Sequence, residues 1–176
     1  SFYVPQCVLV HVDAAHPVWF GRAQDARSAR ITTDLPDGDI VPFSERLVHH
    51  PVEHPYDELA ALIRDRGWGA ARIGVEMDAH YYTARCHLHL LAGLPQASLA
   101  NNGDLVNWAR LVKSPAEVAL MREAGAICTA AIARATEVMA PGVPQQQVIA
   151  AILQQLTMGV PGAGGDYAAI VPLMPV

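Results

Sequence analysis

The chain has 176 residues, 52% of them hydrophobic, and a formal charge of −5. That is enough apolar material to bury a core and too much for a disordered segment. Twelve basic residues, only one of them lysine, leave no cationic stripe to follow phosphates, and no apolar run approaches the ~20 residues of a membrane helix; nucleic-acid and membrane partners are therefore disfavoured.

Val8-Leu9-Val10-His11-Val12 predicts a short strand, Pro17-Val18-Trp19-Phe20 a second, and Arg30-Ile31-Thr32-Thr33 a third. Residues 34–43 hold two Pro, one Gly and three Asp, and read as a loop. Leu59, Leu62, Ile63 and Arg66 fall at helical spacing within 56–66, and Gly67 suits the position just past a helix end. Arg72-Ile73-Gly74-Val75-Glu76 predicts a strand, and residues 79–91 a helix stopped by Gly93 and Pro95. A helix between strands points to a layered α/β domain.

The run Lys113-Ser114-Pro115-Ala116-Glu117 is a well-formed helix start. Ser114 can cap, Pro115 sits where a missing N–H is tolerated, and Glu117 closes the S-x-x-E box. The helix it opens should reach Met139, with apolar residues on more than one side and most of them buried. Pro141-Gly142 breaks it, 145–156 predicts another helix, 159–165 a mobile glycine-rich loop, and 167–171 a strand.

Three cysteines, Cys7, Cys86 and Cys128, show no paired spacing and fit a reduced, cytoplasmic setting. Ser1 opens into strand-like sequence without an initiator Met, so the natural start is expected upstream. His49-His50-Pro51-x-x-His54 offers three imidazoles for zinc, yet Pro51 and Pro55 make the stretch read as a loop entering a helix. His87 and His89 diverge on a helix, and Cys86 is only a sequence neighbour of His87. Glu76 and Asp78 suit a turn better than acid–base work. The glycine-rich loop lacks the Gly-Lys-Ser/Thr of a phosphate cradle.

Trp108-Ala109-Arg110-Leu111-Val112-Lys113-Ser114-Pro115-Ala116-Glu117, followed by Met121-Arg122-Glu123-Ala124, resembles the domain junction of the creatinase/prolidase/Xaa-Pro aminopeptidase family. Arg72 to Glu76 resembles a strand near the end of that family's N-terminal domain, Gly93-Leu94-Pro95 its Leu-Pro turn, and Pro141-Gly142-Val143 its break after the junction helix. The stretches from Phe2 to Val10, Trp19 to Ala26 and Gly164 to Leu173 are similar to the ectoine hydrolase branch, which opens a cyclic amidine.

The resemblance implies an α/β fold class. Residues 1–112 would be a creatinase-type N-terminal domain of mixed sheet and helices, missing its first elements, and residues 113–176 the truncated beginning of a pita-bread α+β catalytic domain. It implies a parent enzyme that hydrolyses C–N bonds in a small molecule, cytoplasmic and homodimeric, with this fragment inactive alone. Two alternatives stay open: a metal-dependent Xaa-Pro dipeptidase or aminopeptidase, and a non-catalytic binding protein. No cofactor or metal is expected in this fragment. The parent would be metal-free if ectoine hydrolase-like and hold two divalent metals if a peptidase, whose two Asp, one His and two Glu fall downstream of Val176.

No catalytic residue is expected here, but the resemblance singles out several binding candidates. Phe2 falls on an aromatic position that, in creatinase-like dimers, reaches the partner's active site, with Tyr3 beside it. Where creatinase has an arginine two residues later this chain has Val4, which argues against a creatine-like carboxylate clamp. The other reading makes Phe2 and Tyr3 core residues. Trp19, Arg22, Gln24 and Asp25 form a polar-aromatic cluster that faces a pocket or dimer seam, or is merely a surface link between Arg22 and Asp25. Tyr167, leading toward the family's catalytic histidine, is a pocket-lining candidate.

Overall fold

The computed structural model describes residues 4–172, and the chain divides into two compact units between Leu105 and Val106. In the first, β1 (Cys7–Leu9) pairs antiparallel with β2 (Val18–Arg22), and β2 pairs parallel with β3 (Ile40–Phe43), in the order β1-β2-β3. Helix α1 (Ala26–Thr32) connects β2 to β3. Helix α2 (Pro55–Asp65) follows; then β4 (Arg72–Val75), α3 (Ala84–Gly93) and β5 (Ser98–Asn101) form a βαβ unit with β4 and β5 parallel. The first unit is thus a mixed α/β domain.

The main core gathers around α2. Tyr56, Leu59, Ala60 and Ile63 line its buried face, which packs against Phe20 and Phe43 from the sheet and Cys86 and Leu90 from α3. The two phenyl rings lie 5.5 Å apart and tilted, a favourable aromatic contact. Burying each such large side chain contributes about 1.5–3 kcal/mol. Gly93 lets α3 approach α2 closely, because a Cβ there would overlap that of Ala60. A smaller cluster seats Trp19 on Ala26, Ala29 and Ile40.

Both ends of α2 are satisfied locally. At its C-terminus, Gly67 adopts φ +78°, and the N–H groups of Gly67 and Trp68 return to the carbonyls of Arg64 and Ile63 at 2.8 and 2.9 Å. This closing motif needs a residue that tolerates the left-handed region.

Three expectations for the first unit fail, and one of its strands was not foreseen. Residues 30–33 are not a strand: they end α1, because Ala26 and Ala29 fit under Trp19 while Ile31 is left exposed. The supposed loop at 34–43 contains β3, whose Pro42 is tolerated because β3 is an edge strand. The helix expected from 79 begins only at Ala84, where Thr83 Oγ1 accepts the Cys86 N–H at 3.2 Å. Strand β5, with its unremarkable Ser-Leu-Ala-Asn sequence, forms by pairing with β4.

Helix α4 (Leu105–Ala109) spans the division, and the second unit holds α5 (Pro115–Val138) and α6 (Gln145–Met158). The expected capping box is present: Glu117 N–H donates to Ser114 Oγ at 3.3 Å, and Ser114 N–H donates to Glu117 Oε2 at 2.7 Å. Those bonds hold the Glu117 carboxyl below its ordinary pKa. Helices α5 and α6 lie against each other, but α5 is not mostly buried as its composition suggested; its buried residues are the small Ala131 and Ala135. The glycine-rich loop folds back on itself, with two bonds of 2.9 Å between Val160 and Ala163. Residues 167–171 form no strand; among the described residues the second unit has no strand for them to pair with. Among the described residues no helix is long and apolar enough to cross a membrane.

Candidate functional site

The sequence candidates occupy several different environments. Phe2 and Tyr3 lie outside the described residues; Val4, the next residue, is buried in the main core. Trp19 is a core residue, 8% exposed, because β2 directs it onto α1. Arg22 ends β2 and places its Nε 3.0 Å from Glu45 Oε2. The Gln24 N–H also donates to Glu45, at 3.3 Å. Asp25 occupies the position before α1. Glu45, 23 residues beyond Arg22, therefore organises this corner, and no local pattern announces it. Tyr167, in the second unit, is 79% exposed, with its N–H donating to Asp166 Oδ1.

A second polar group joins α2 to α3. His54 Nδ1 accepts the Tyr56 N–H at 3.2 Å, and Asp57 Oδ2 accepts the His54 N–H at 2.8 Å. Asp57 Oδ1 also lies 2.7 Å from His89 Nδ1. Burial works against the Asp57 charge, but the bonds from His89 and the His54 N–H outweigh it and keep the carboxyl below its usual pKa. The sequence offered no signal for the His54–Asp57–His89 arrangement beyond three residues that can bond. The other imidazoles serve elsewhere: His50 Nδ1 accepts the Glu53 N–H at 2.9 Å, and His87 Nδ1 meets Tyr82 OH at 2.9 Å.

Cys86 Sγ sits 3.9 Å from His54 Nε2, which invites comparison with a cysteine–histidine nucleophile pair. The chemistry argues otherwise. His54 Nδ1 is already an acceptor, so in the neutral ring the proton resides on Nε2, facing the sulfur. An imidazole in that state cannot take the thiol's proton. Burial is also the main cause that pushes the Cys7 thiol to about 12, with nearby Cys86 adding to it, so Cys7 keeps its proton at neutral pH. Burial likewise raises Tyr82 to about 12 and Tyr56 further. Among the described residues no group of three or more His, Cys, Asp or Glu could hold a metal ion. These polar groups fix α2 against α3.

With that geometry in place, comparison with known proteins is decisive. The Creatinase/Prolidase N-terminal domain family matches residues 2–112. The chain belongs to the creatinase/prolidase family. It is similar to ectoine hydrolase of Halomonas elongata, 40% identical over 99% of this chain and 45% of the relative. It is also 43% identical to the uncharacterized hydrolase/peptidase y4tM of Sinorhizobium fredii, over 99% of this chain and 44% of that protein. The chain thus spans a little under half the length of these curated relatives. Among solved structures, the Xaa-Pro dipeptidase from Bacillus anthracis superposes with a TM-score of 0.66 over 86% of this chain and 38% of that one, at 19% identity. That likeness establishes the fold: the α/β unit is a creatinase-type domain.

Proposed function

We propose that this chain supplies the N-terminal domain, residues 1–112, and the opening of the catalytic domain, residues 113–176, of a homodimeric C–N hydrolase that opens a small cyclic amidine of the ectoine type. One observation carries this reading: 40% identity to an ectoine hydrolase along 99% of the chain. In such a reaction water adds to the amidine carbon, a proton passes to the departing ring nitrogen, and the C–N bond breaks to leave an amide and an amine. A general base must activate the water and an acid must protonate that nitrogen. Both are assigned to residues outside this chain, which alone would be inactive. On the ectoine hydrolase reading the parent works without metal; a peptidase of the same fold would use a metal pair to activate water.

This chain's contribution would then be to shape the pocket. Phe2 and Tyr3 would wall the partner subunit's site, adding apolar contact and cation–π attraction of about 0.5–2 kcal/mol to a charge-delocalised ring. Arg22, Gln24 and Asp25 would face the subunit seam, and Tyr167 the pocket of its own subunit.

The test uses the complete protein, purified and assayed with ectoine and with an Xaa-Pro dipeptide, with and without a chelator. Ectoine opening that survives chelation supports the proposal, and the 176-residue chain should show none. Chelator-sensitive dipeptide cleavage in place of ectoine opening establishes the peptidase alternative, and binding without turnover the non-catalytic one. Heterodimers that pair a Phe2→Ala or Tyr3→Ala subunit with a catalytically dead one should regain up to half the activity. No recovery in verified heterodimers would remove the trans role.

A further inference from the structure

Helix α2 begins on an imidazole, where Ser, Thr, Asp or Asn is the usual choice. The cap works only while His54 Nδ1 is unprotonated, because that lone pair receives the Tyr56 N–H. Groups from two helices face the ring: Tyr56 and Asp57 from α2, and Arg85, Cys86 and His89 from α3. The His54 and His89 rings stack with centroids 4.9 Å apart and planes at 23°. The Asp57 carboxylate is already committed to His89 and to the His54 backbone N–H. Arg85 Nη2 lies 3.1–3.3 Å from the carbonyl oxygens of His50, Pro51, Val52 and Glu53 and shares its two N–H groups among them, tying α3 to the turn that precedes the cap. A proton on His54 Nδ1 would point one donor at another and set a cation beside Arg85 and His89.

We propose that the His54–His89 seam is an acid-released latch: protonation of His54 converts the cap's acceptor into a donor, expels the Tyr56 N–H and frees the first turn of α2 from α3. The release is transmitted. Glu58, in that same turn, accepts the Ser44 N–H at 3.0 Å, and the next residue, Glu45, holds Arg22 and the Gln24 N–H. Opening the latch loosens the support of the β2 corner.

The direction of the pH effect follows from linkage. Burial first, then His89 and Arg85, against an opposing pull from Asp57, lower the His54 pKa from 6.5 to about 4. The opened ring takes up a proton near its ordinary value; the latched ring resists until about 4. The latch is therefore complete above the ordinary histidine pKa and fades as pH falls toward 4. At about pH 5 the opening equilibrium should rise on the order of thirtyfold over its value near pH 8.

Hydrogen exchange at the Tyr56 amide in the full-length protein, corrected for intrinsic rate, reads this directly. The wild type should lose protection by that factor. His54→Asn keeps a capping acceptor that does not titrate and should hold its protection across the same range. If His54→Asn loses protection as the wild type does, acid acts elsewhere and the latch is wrong. Titration of the His54 ring resonances in the wild type gives an answer without any variant, and a midpoint near 6.5 would also overturn it.

Discussion

In the first unit the largest side chains are the best hidden, with Phe20, Phe43, Leu59 and Ile63 at 1–2% exposure. In α5 and α6 the order is reversed. The buried residues are Ala131, Ala135, Val148 and Ala151, while Leu120, Met121 and Ile132 are 58–69% exposed. Yet α5 has as complete a start signal as α2, with proline, capping side chain and reciprocal carboxylate all in place. Forming a helix and burying it are therefore separate achievements, the first written within a few neighbouring residues and the second supplied by surfaces brought from elsewhere.

The sharpest way to break this contrast is truncation in each unit. Phe20→Ala should cost about 3–5 kcal/mol, since it empties a packed core, whereas Leu120→Ala should stay within about 0.5 kcal/mol in this chain. Urea denaturation of the 176-residue chain followed by circular dichroism measures both, and equal losses would erase the distinction.

A smaller effect sharpens the second half of the comparison. Ser114→Ala should cost α5 about 1 kcal/mol by removing an N-cap acceptor, read as faster exchange of the Glu117 amide. Glu117→Ala should do less, because its carboxylate is solvent-exposed. Unchanged exchange in Ser114→Ala would mean that the helix is started by something other than its cap.

The smallest effect belongs to the β2 corner. Arg22→Ala breaks a partly exposed ion pair with Glu45 and should change stability by less than about 1 kcal/mol, and less still in high salt. A thermal melt at two salt concentrations checks it. A loss as large as that of Phe20→Ala would mark this corner as part of the core.

The elements that could be read from the chain are those with punctuation of their own: α2 between Pro55 and Gly67, α5 behind Ser114, and α6 after Pro141-Gly142. Those that escaped depend on partners far along the chain. Ile31, Thr32 and Thr33 carry β-branched side chains, but the contact of Ala26 and Ala29 with Trp19 outweighs that preference. Strands β3 and β5 exist because β2 and β4 offer them backbone partners. The same holds for the polar groups. Glu45 finds Arg22 across 23 positions and Asp57 finds His89 across 32, distances over which spacing has no meaning. The family signature at the junction could be read for the opposite reason, being a contiguous run of residues. Trp19 shows the limit of such reading, since membership in a suggestive cluster did not reveal that its indole faces inward.

The close approach of Gly93 to Ala60 constrains how this protein can drift in sequence. A glycine in a helix is ordinarily the first residue to replace, because alanine favours the helical backbone by about 1 kcal/mol. Here the added methyl would land on Ala60, so the exchange that helps an isolated helix would push α3 off α2. Growth at either position is blocked while the other keeps its present size. The two sites are thus expected to change together across descendants of this sequence, with a larger residue at 93 appearing beside glycine at 60, and the spacing of the helices inherited as a property of the pair.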